Sequence, residues 1–144
     1  MENQNEQPTL ETFADGLKEW RLNGQIHRED GPALEFSNGS KEWWQNGQIH
    51  REEGPAVEKA DGSKQWWING KLHRLDGPSI EYANGSKEWW QNGKPHRFDG
   101  PAIELADGLK EWWINGKQFS KFEFNQRTKK NQPKESFFDS LIFD

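Results

Sequence analysis

The feature that most constrains the fold of this chain is a unit that recurs every 23 residues along most of its 144-residue length. The first tryptophan of each copy keeps this interval, and an Asn-Gly pair follows three residues later. A fixed period in this range is typical of repeat architectures, in which each unit packs only on its neighbours. We therefore predict five stacked copies, marked by the tryptophans Trp20, Trp43, Trp66, Trp89 and Trp112.

Glycine turns divide each copy into short segments. In the third copy they fall at Asp61-Gly62, Asn69-Gly70 and Asp76-Gly77-Pro78. Asn-Gly and Asp-Gly favour two-residue hairpins of type I′, because both central residues of that turn need positive φ. The segments between the turns are too short for helices and are rich in strand-forming tryptophan and isoleucine. The predicted fold class is all-β, with tandem antiparallel β-hairpin repeats in an array or meander, and with a short helix only in the C-terminal tail.

The predicted two-residue hairpins also fix which residues lie opposite each other. With Asn46-Gly47 as the loop, a ring meets an aliphatic side chain near the turn and opposite charges meet further away. With Asp61-Gly62 as the loop, aliphatic residues meet tryptophans. The predicted opposite pairs include Trp44 with Ile49, Glu42 with Arg51, Val57 with Trp66, and Glu35 with Glu42.

Two tryptophans stand side by side in four of the five copies. Adjacent strand residues point to opposite faces of a sheet, so the pairs predict one row of rings on each face. Either the sheet curls so that one row is internal, or the second row meets another layer, a second subunit or a ligand. A row of exposed rings marks an interface. The candidate binding residues of this second row are Trp44, Trp67, Trp90 and Trp113.

One arginine per copy forms a second candidate binding set. Guanidinium groups stacked on tryptophan would bind a phosphate-bearing ligand. The alternative is a structural ion pair with the cross-strand glutamate, which is missing in the third copy because Gln65 takes its place. Because the third copy lacks this glutamate, we predict that Arg74 is less constrained by ion pairing than the other three arginines. The four arginines are Arg28, Arg51, Arg74 and Arg97.

The pattern of the histidines and the turn acids indicates structural roles rather than metal binding or catalysis. Equivalent histidines would lie about 10 Å apart or more in a sheet, too far to share one metal ion. Phe119 takes the fifth histidine position, which indicates a ring that packs against tryptophan. Acids before Gly-Pro are ordinary turn residues, and evenly spread carboxylates form no acid–base pair. We predict no metal, no cofactor and no catalysis. The four histidines are His27, His50, His73 and His96.

The ends of the chain differ from the repeats, which span residues 14–124. Residues 1–13 form a polar leader with a strand-like half-repeat, Thr9–Phe13, in which one extra residue predicts a bulge. Residues 125–144 form a basic linker and an apolar tail. The tail suits a short capped amphipathic helix between Ser136 and Ile142. It would cap its own chain, cap a second chain, or bind a partner.

Composition bounds the location and the partners. The net charge of -5 argues against general nucleic-acid binding, which needs clustered lysine and arginine. No segment approaches the roughly 18 apolar residues of a membrane span. The N-terminus has no apolar signal core, and the chain has no cysteine. These observations predict a cytoplasmic protein.

The motifs Trp-Ile-Asn-Gly-Lys-x-His, at 67–73, and Ala-Asp-Gly-x-Lys, at 60–64, resemble those of the MORN repeat superfamily. The resemblance covers residues 14–124 and implies a β-hairpin array with an interaction or scaffold role. MORN proteins are associated with partner binding, self-association and sometimes lipid headgroups. Here His-Arg-x-Asp-Gly-Pro-Ala replaces the usual His-Gly-x-Gly, a variant similar to repeats of bacteriophage and other microbial proteins. No catalytic residue carries over.

We therefore expect a non-enzymatic repeat binding protein that presents a tryptophan-rich surface to a protein partner and that can form a homo-oligomer. The resemblance to phage-borne variants implies a protein that blocks a host factor in the host cytoplasm. The alternative is a small-ligand binder, such as a sponge for nucleotide-type signals, that uses tryptophan planes and arginines.

Overall fold

A computed structural model describes residues 6–129 of the chain. The linker beyond Lys129 and the helix expected between Ser136 and Ile142 lie outside the described residues. Within 6–129 the structure is a series of short antiparallel strands followed by one helix, α1 (Lys121–Lys129). This confirms the predicted all-β class of tandem hairpins.

A 12-stranded antiparallel sheet runs the length of the described chain. Eleven of its strands follow one another in chain order, and the third strand of the chain pairs only with the second. Each inner repeat contributes two strands of only two residues, and the end strands are longer. The strands are β1 (Thr9–Thr12), β2 (Lys18–Leu22), β3 (Gln25–Ile26), β4 (Leu34–Glu35), β5 (Lys41–Glu42), β8 (Val57–Glu58), β9 (Lys64–Gln65), β12 (Ile80–Glu81), β13 (Lys87–Glu88), β16 (Ile103–Glu104), β17 (Lys110–Ile114) and β18 (Lys117–Phe119).

The three inner repeats each add a separate two-stranded hairpin beyond this sheet. Each hairpin turns at an Asn-Gly pair. In the third repeat Asn69 has φ 48° and Gly70 has φ 74°, and the other four pairs match them. Both central residues therefore have positive φ, as the predicted type I′ turn requires. The hairpins are β6 (Trp44–Gln45) with β7 (Gln48–Ile49), β10 (Trp67–Ile68) with β11 (Lys71–Leu72), and β14 (Trp90–Gln91) with β15 (Lys94–Pro95).

The Asp-Gly turns differ from the prediction, because their loops contain three residues. Only Gly62 of the 60–62 loop has positive φ, at 92°. The Gly62 N–H donates to the Lys59 carbonyl at 2.9 Å, and the Lys59 N–H donates to the Ser63 carbonyl at 2.9 Å. This is a type I turn followed by a left-handed glycine, the usual geometry of a three-residue hairpin loop.

The third loop residue shifts the register by one, so the predicted pairing of Val57 with Trp66 is wrong. Val57 lies opposite Gln65, and Glu58 lies opposite Lys64. The predicted clash of Glu35 with Glu42 is also removed. Opposite charges therefore face each other along the sheet, in the pairs Glu35 with Lys41, Glu58 with Lys64, Glu81 with Lys87, and Glu104 with Lys110.

Each inner strand changes partner at the first tryptophan. The Trp43 N–H donates to the Ala56 carbonyl at 2.8 Å in the sheet, and its carbonyl accepts from the His50 N–H at 3.0 Å in the hairpin. Trp44 lies opposite Ile49, as predicted. The predicted pairing of Glu42 with Arg51 is wrong, because Glu42 already belongs to the sheet and pairs with the strands on either side.

Small residues after the Gly-Pro turns fill the tightest positions of the core. Ala33, Ala56, Ser79 and Ala102 have no exposed surface. The aliphatic residue that follows is buried in the first three of these copies, at Leu34, Val57 and Ile80. The core is therefore a narrow row that repeats along the sheet, and it has no room for larger side chains.

Side-chain acceptors link each repeat to the next. Ser63 Oγ accepts from the Ala83 N–H at 3.0 Å, across the gap between two Asp/Asn-Gly turns. Ser40 and Ser86 make the same bond to the following repeat. In the fifth repeat Leu109 occupies the position of these serines, and no sixth copy of the motif follows it in the sequence. These bonds supplement the strand pairing.

The N-terminal half-repeat forms β1, which pairs with β2 so that Leu10 faces Trp20. The Phe13 N–H bonds to the Leu17 carbonyl, as the Phe36 N–H bonds to the Ser40 carbonyl one repeat later. The two loops have the same length. The predicted extra residue and bulge are therefore wrong, and the half-repeat aligns without an insertion.

The expectation that no helix precedes the tail is also wrong, because α1 begins at Lys121. Ser120 Oγ accepts from the Glu123 N–H at 3.2 Å, and Glu123 Oε2 accepts from the Ser120 N–H at 3.0 Å. This reciprocal pair is a capping box, which the Ser-x-x-Glu spacing encodes. Phe124 is buried in contact with the last strands. No helix within 6–129 has both the length and the apolar character that a membrane crossing requires.

Because the core is closely packed, a larger side chain should lower the free energy of unfolding at a core position and have little effect at an exposed one. We expect Ala56→Leu to lower the free energy of unfolding by about 1–3 kcal/mol, because overpacking displaces its neighbours. Ala60→Leu adds the same atoms to an exposed loop four residues later and is expected to change this free energy by less than about 0.5 kcal/mol. Urea denaturation of the two variants makes the comparison. Equal losses would contradict the assigned core.

Candidate functional site

The two faces of the sheet carry different side chains. Val57 and Gln65 lie opposite each other on one face, and their chain neighbours Glu58 and Lys64 lie on the other. The first face holds the buried aliphatic row. The second holds alternating lysines and glutamates.

The second tryptophan row covers the aliphatic face. Trp67 Nε1 donates to Gln65 Oε1 at 2.9 Å, which places the ring over that face. Its three equivalents donate to a glutamate two residues earlier at 2.8–2.9 Å. All four rings are half-buried, and the polar atom of each is bonded within its own repeat. Their role in partner binding stays a prediction. These rings are Trp44, Trp67, Trp90 and Trp113.

The arginines stack on the first tryptophan row, on the charged face. The Arg74 guanidinium carbon lies 3.8 Å from the ring centroid of Trp66. Its Nε donates to Asp76 at 3.0 Å, and its Nη1 donates to the Pro78 carbonyl at 3.0 Å and to Glu81 at 3.4 Å. The other three stacks measure 3.8–4.0 Å, in the pairs Arg28 with Trp20, Arg51 with Trp43, and Arg97 with Trp89.

The predicted partners of the arginines are therefore wrong, although the stacking is as expected. The cross-strand glutamates lie on the opposite face; Glu42, for example, accepts from the Trp44 indole. Arg74 is not freer than its equivalents, since Gln65 was never its partner. Gly77 explains part of the arrangement, because a Cβ at this position would lie 3.0 Å from the Arg74 guanidinium carbon. The Gly-Pro turn leaves space for the arginine.

Each histidine accepts a hydrogen bond from the next repeat. His50 Nδ1 accepts from the Asn69 backbone N–H at 3.0 Å. The other three make the same bond at 3.0 Å to the asparagine 19 residues later. The sequence predicted a packing ring and missed this bond. Phe119 has no acceptor and needs none, because no repeat follows it within the described residues. Between residues 6 and 129 no group of three His, Asp or Glu side chains is placed to hold a metal.

The His-Arg-x-acid-Gly-Pro segments of successive repeats form a surface that we call the loop edge, at 27–32, 50–55, 73–78 and 96–101. A groove lies between each pair of adjacent loops. The three grooves have volumes of about 520, 640 and 600 Å³ along the chain. Each is lined by the first tryptophan of the later repeat, which is Trp43, Trp66 or Trp89.

One position of the loop edge varies while its surroundings repeat. The residue after His-Arg is Glu29, Glu52, Leu75 and Phe98 in the four loops. Leu75 is 76% exposed and Phe98 is 55% exposed, although both are large and apolar. The loop edge therefore changes from acidic to apolar along the array. The sequence already shows this variation, because the residue after His-Arg differs within an otherwise repeated motif. The prediction of a binding surface was based on the tryptophan rows instead.

No known protein-family model matches this chain, and no curated protein matches it in sequence. The resemblance to MORN repeats therefore stays a prediction.

Acid should weaken the link between the fourth and fifth repeats, which His96 makes. Burial lowers the pKa of His96, so the unfolded chain takes up a proton near pH 6.5 before the folded chain does. Stability from this group is present above about pH 6.5 and is lost as the pH falls below it. We expect His96→Asn, whose Oδ1 takes the place of Nδ1 without titrating, to lose less stability between about pH 7.5 and 5.5. Urea midpoints test this, and an unchanged pH dependence would contradict it.

The arginine geometry predicts that lysine is a poor substitute. We expect Arg74→Lys to lower the free energy of unfolding by about 1 kcal/mol, because an ammonium cannot stack flat and bond three oxygens together. Arg127→Lys makes the same change at an exposed arginine of α1 whose guanidinium lies farther from its ring, 5.0 Å from that of Phe119, and should change this free energy by less than about 0.5 kcal/mol. Equal urea midpoints for the two variants would show that the stack has no structural role.

Proposed function

We propose that this chain is a non-enzymatic repeat binding protein that presents its loop edge to a protein partner. The observation that carries the proposal is the exposure of Leu75 (76%) and Phe98 (55%) at equivalent positions of adjacent loops. Large apolar side chains exposed side by side on a rigid surface mark an interface. The grooves beside them are lined by tryptophan, the residue most enriched at binding hot spots.

The loop edge fits this role better than the second tryptophan row does. The second row repeats almost the same residue in every copy and has its indole N–H groups already bonded. The loop edge repeats most of its backbone, apart from Gly54 with φ 131° in the second loop, and varies its exposed side chain. A fixed scaffold with variable loop residues is the arrangement by which binding surfaces acquire specificity.

The same surface argues against the alternative of a nucleotide-type ligand. Each arginine is held over a tryptophan and bonded to a carboxylate and a carbonyl oxygen within its own repeat. The turn acids beside the grooves are strongly exposed; Asp76 is 86% and Asp99 is 85% exposed at the side chain. A phosphate entering a groove would meet these carboxylates first. We propose a protein partner for this reason.

The repeat length, the Asn-Gly hairpins and the stacking also support a place for this chain as a divergent relative of the MORN superfamily. The resemblance of its loops to phage-borne repeats suggests that the partner is a host factor. A catalytic role has little support, because every histidine Nδ1 is occupied by a backbone N–H.

Changing the two exposed apolar residues should abolish partner capture. We expect wild-type chain on a resin to enrich a specific protein from bacterial lysate, and the double variant Leu75→Ser/Phe98→Ser to lose it, because both exposed side chains would contact the partner. Phe98 also packs edge-on against the His96 ring, with 4.6 Å between the ring centroids, so the folding of the variant is measured separately. The measurement is quantitative mass spectrometry of the bound fraction, with urea midpoints to show that folding is kept.

The matched control is Leu10→Ser/Phe13→Ser, which removes two exposed apolar residues from the N-terminal end of the sheet. The control should capture as well as wild type. If the loop-edge variant also captures at the wild-type level, the loop edge is not the partner surface and the proposal fails.

A further inference from the structure

We infer that the partner segment bound by the loop edge is a proline-rich peptide in the polyproline II conformation, with an apolar residue at every third position and a cationic residue at one end. This inference rests on the proposed function and specifies its partner. It is drawn from the spacing, the lining and the charge of the three grooves.

The spacing of the grooves follows from the strand pairing. Each inner repeat contributes two strands to the sheet, so successive repeats lie about 9.6 Å apart at the usual strand separation of about 4.8 Å. Backbone bonds between neighbouring hairpins, from Gly70 N–H to the Ile49 carbonyl at 2.9 Å and from Arg51 N–H to the Trp67 carbonyl at 3.1 Å, keep the same separation beside the loops. Equivalent points in successive grooves are therefore about 9.6 Å apart.

A polyproline II helix matches this distance. It has three residues per turn and rises about 3.1 Å per residue, so side chains three apart share one face and are about 9.3 Å apart. An extended strand does not match, because its side chains return to one face after about 6.7 or 13 Å. An α-helix returns after seven residues and about 10.5 Å, but with side chains it is about 10–12 Å wide. Such a helix would lie across the loop tips and leave the grooves unfilled.

The lining of the grooves suits proline rings. Each groove offers an indole, and in the second and third grooves the proline of the Gly-Pro turn, Pro55 or Pro78, adds an apolar wall. Aromatic-lined grooves bind polyproline II segments because the ligand is already ordered and loses little entropy on binding. The indole of each first tryptophan is held by its stacked arginine, at 3.8–3.9 Å in these three repeats, and that arginine lines the same groove.

Charge gives the peptide a direction. The first groove is walled by four carboxylates, from Glu29, Asp30, Glu52 and Glu53, against two arginines. The third groove is walled by Leu75 and Phe98, and its two carboxylates, Asp76 and Asp99, stand against two arginines. A peptide that fills the third and second grooves with proline should therefore place a lysine or arginine in the first. Complementary charge of this kind fixes orientation and partner choice.

The test uses wild-type chain and synthetic peptides followed by tryptophan fluorescence and calorimetry. The first peptide has proline at positions 1 and 4 and arginine at position 7. The second has the same composition with a spacing of four residues. The third is a helical peptide with leucines seven residues apart and an arginine at its end. We expect the first peptide to bind at least about tenfold more tightly than either of the others, a difference of about 1.4 kcal/mol.

Charge reversal provides the matched variant. Glu29→Lys should weaken the arginine peptide and strengthen a peptide with glutamate at position 7, because Glu29 lines the first groove and neither of the other two. Phe98→Ser should weaken both peptides, because it removes the apolar wall of the third groove. Urea midpoints equal to wild type show that neither effect comes from unfolding.

Several outcomes would overturn the inference. They are equal binding of the two proline spacings, tighter binding of the helical peptide, or no binding of any peptide. If the lysate partner is still lost in Leu75→Ser/Phe98→Ser, these outcomes reject the proline-rich segment and leave the protein-binding loop edge intact. If that double variant captures normally, the proposed function itself fails, whatever the peptides do.

Discussion

The fold depends on the hydrogen bond from each Asn-Gly turn to the histidine of the preceding repeat. Two-residue strands have too few ladder bonds to fix their own position, and an isolated hairpin is marginal in water. The histidine Nδ1 accepts the asparagine N–H at 3.0 Å in all four links. A serine Oγ accepts from the following turn in the three inner repeats. The next repeat is thus positioned at both ends of its unit, and the stack propagates one repeat at a time.

Sequence reasoning succeeded where one residue type determines the local backbone. The Asn-Gly turns were predictable because asparagine and glycine both tolerate positive φ, and the register of Trp44 with Ile49 followed. The Asp-Gly turns look alike in sequence, yet only Gly62 adopts positive φ, so the loop gains a residue. Whether such a loop contains two or three residues depends on how the strands on both sides of the turn pair. The single-residue shift moved Val57 from Trp66 to Gln65. The predicted pair of Glu42 with Arg51 failed for a separate reason, because the strand changes partner at Trp43.

The candidate site was harder to predict because the fixed residues attract more notice than the variable one. The histidines and arginines recur in four copies, but their atoms are used within the stack. His50 links two repeats, and Arg74 fills the space over Trp66. The side chain at position 75 or 98 makes none of the bonds that join the repeats, although Phe98 packs edge-on against the His96 ring, with 4.6 Å between the ring centroids. Leu75 and Phe98 were therefore visible only after the loops were seen side by side.

The state of the histidines and of the amides they bind gives the most direct test of this account. Nuclear magnetic resonance reports which imidazole nitrogen carries the proton and how fast each amide exchanges with water. The account predicts an unprotonated Nδ1 at neutral pH in all four histidines, and slow exchange at the backbone N–H of Asn46, Asn69, Asn92 and Asn115. A proton on Nδ1, or exchange at these amides as fast as in the exposed loops, would contradict it.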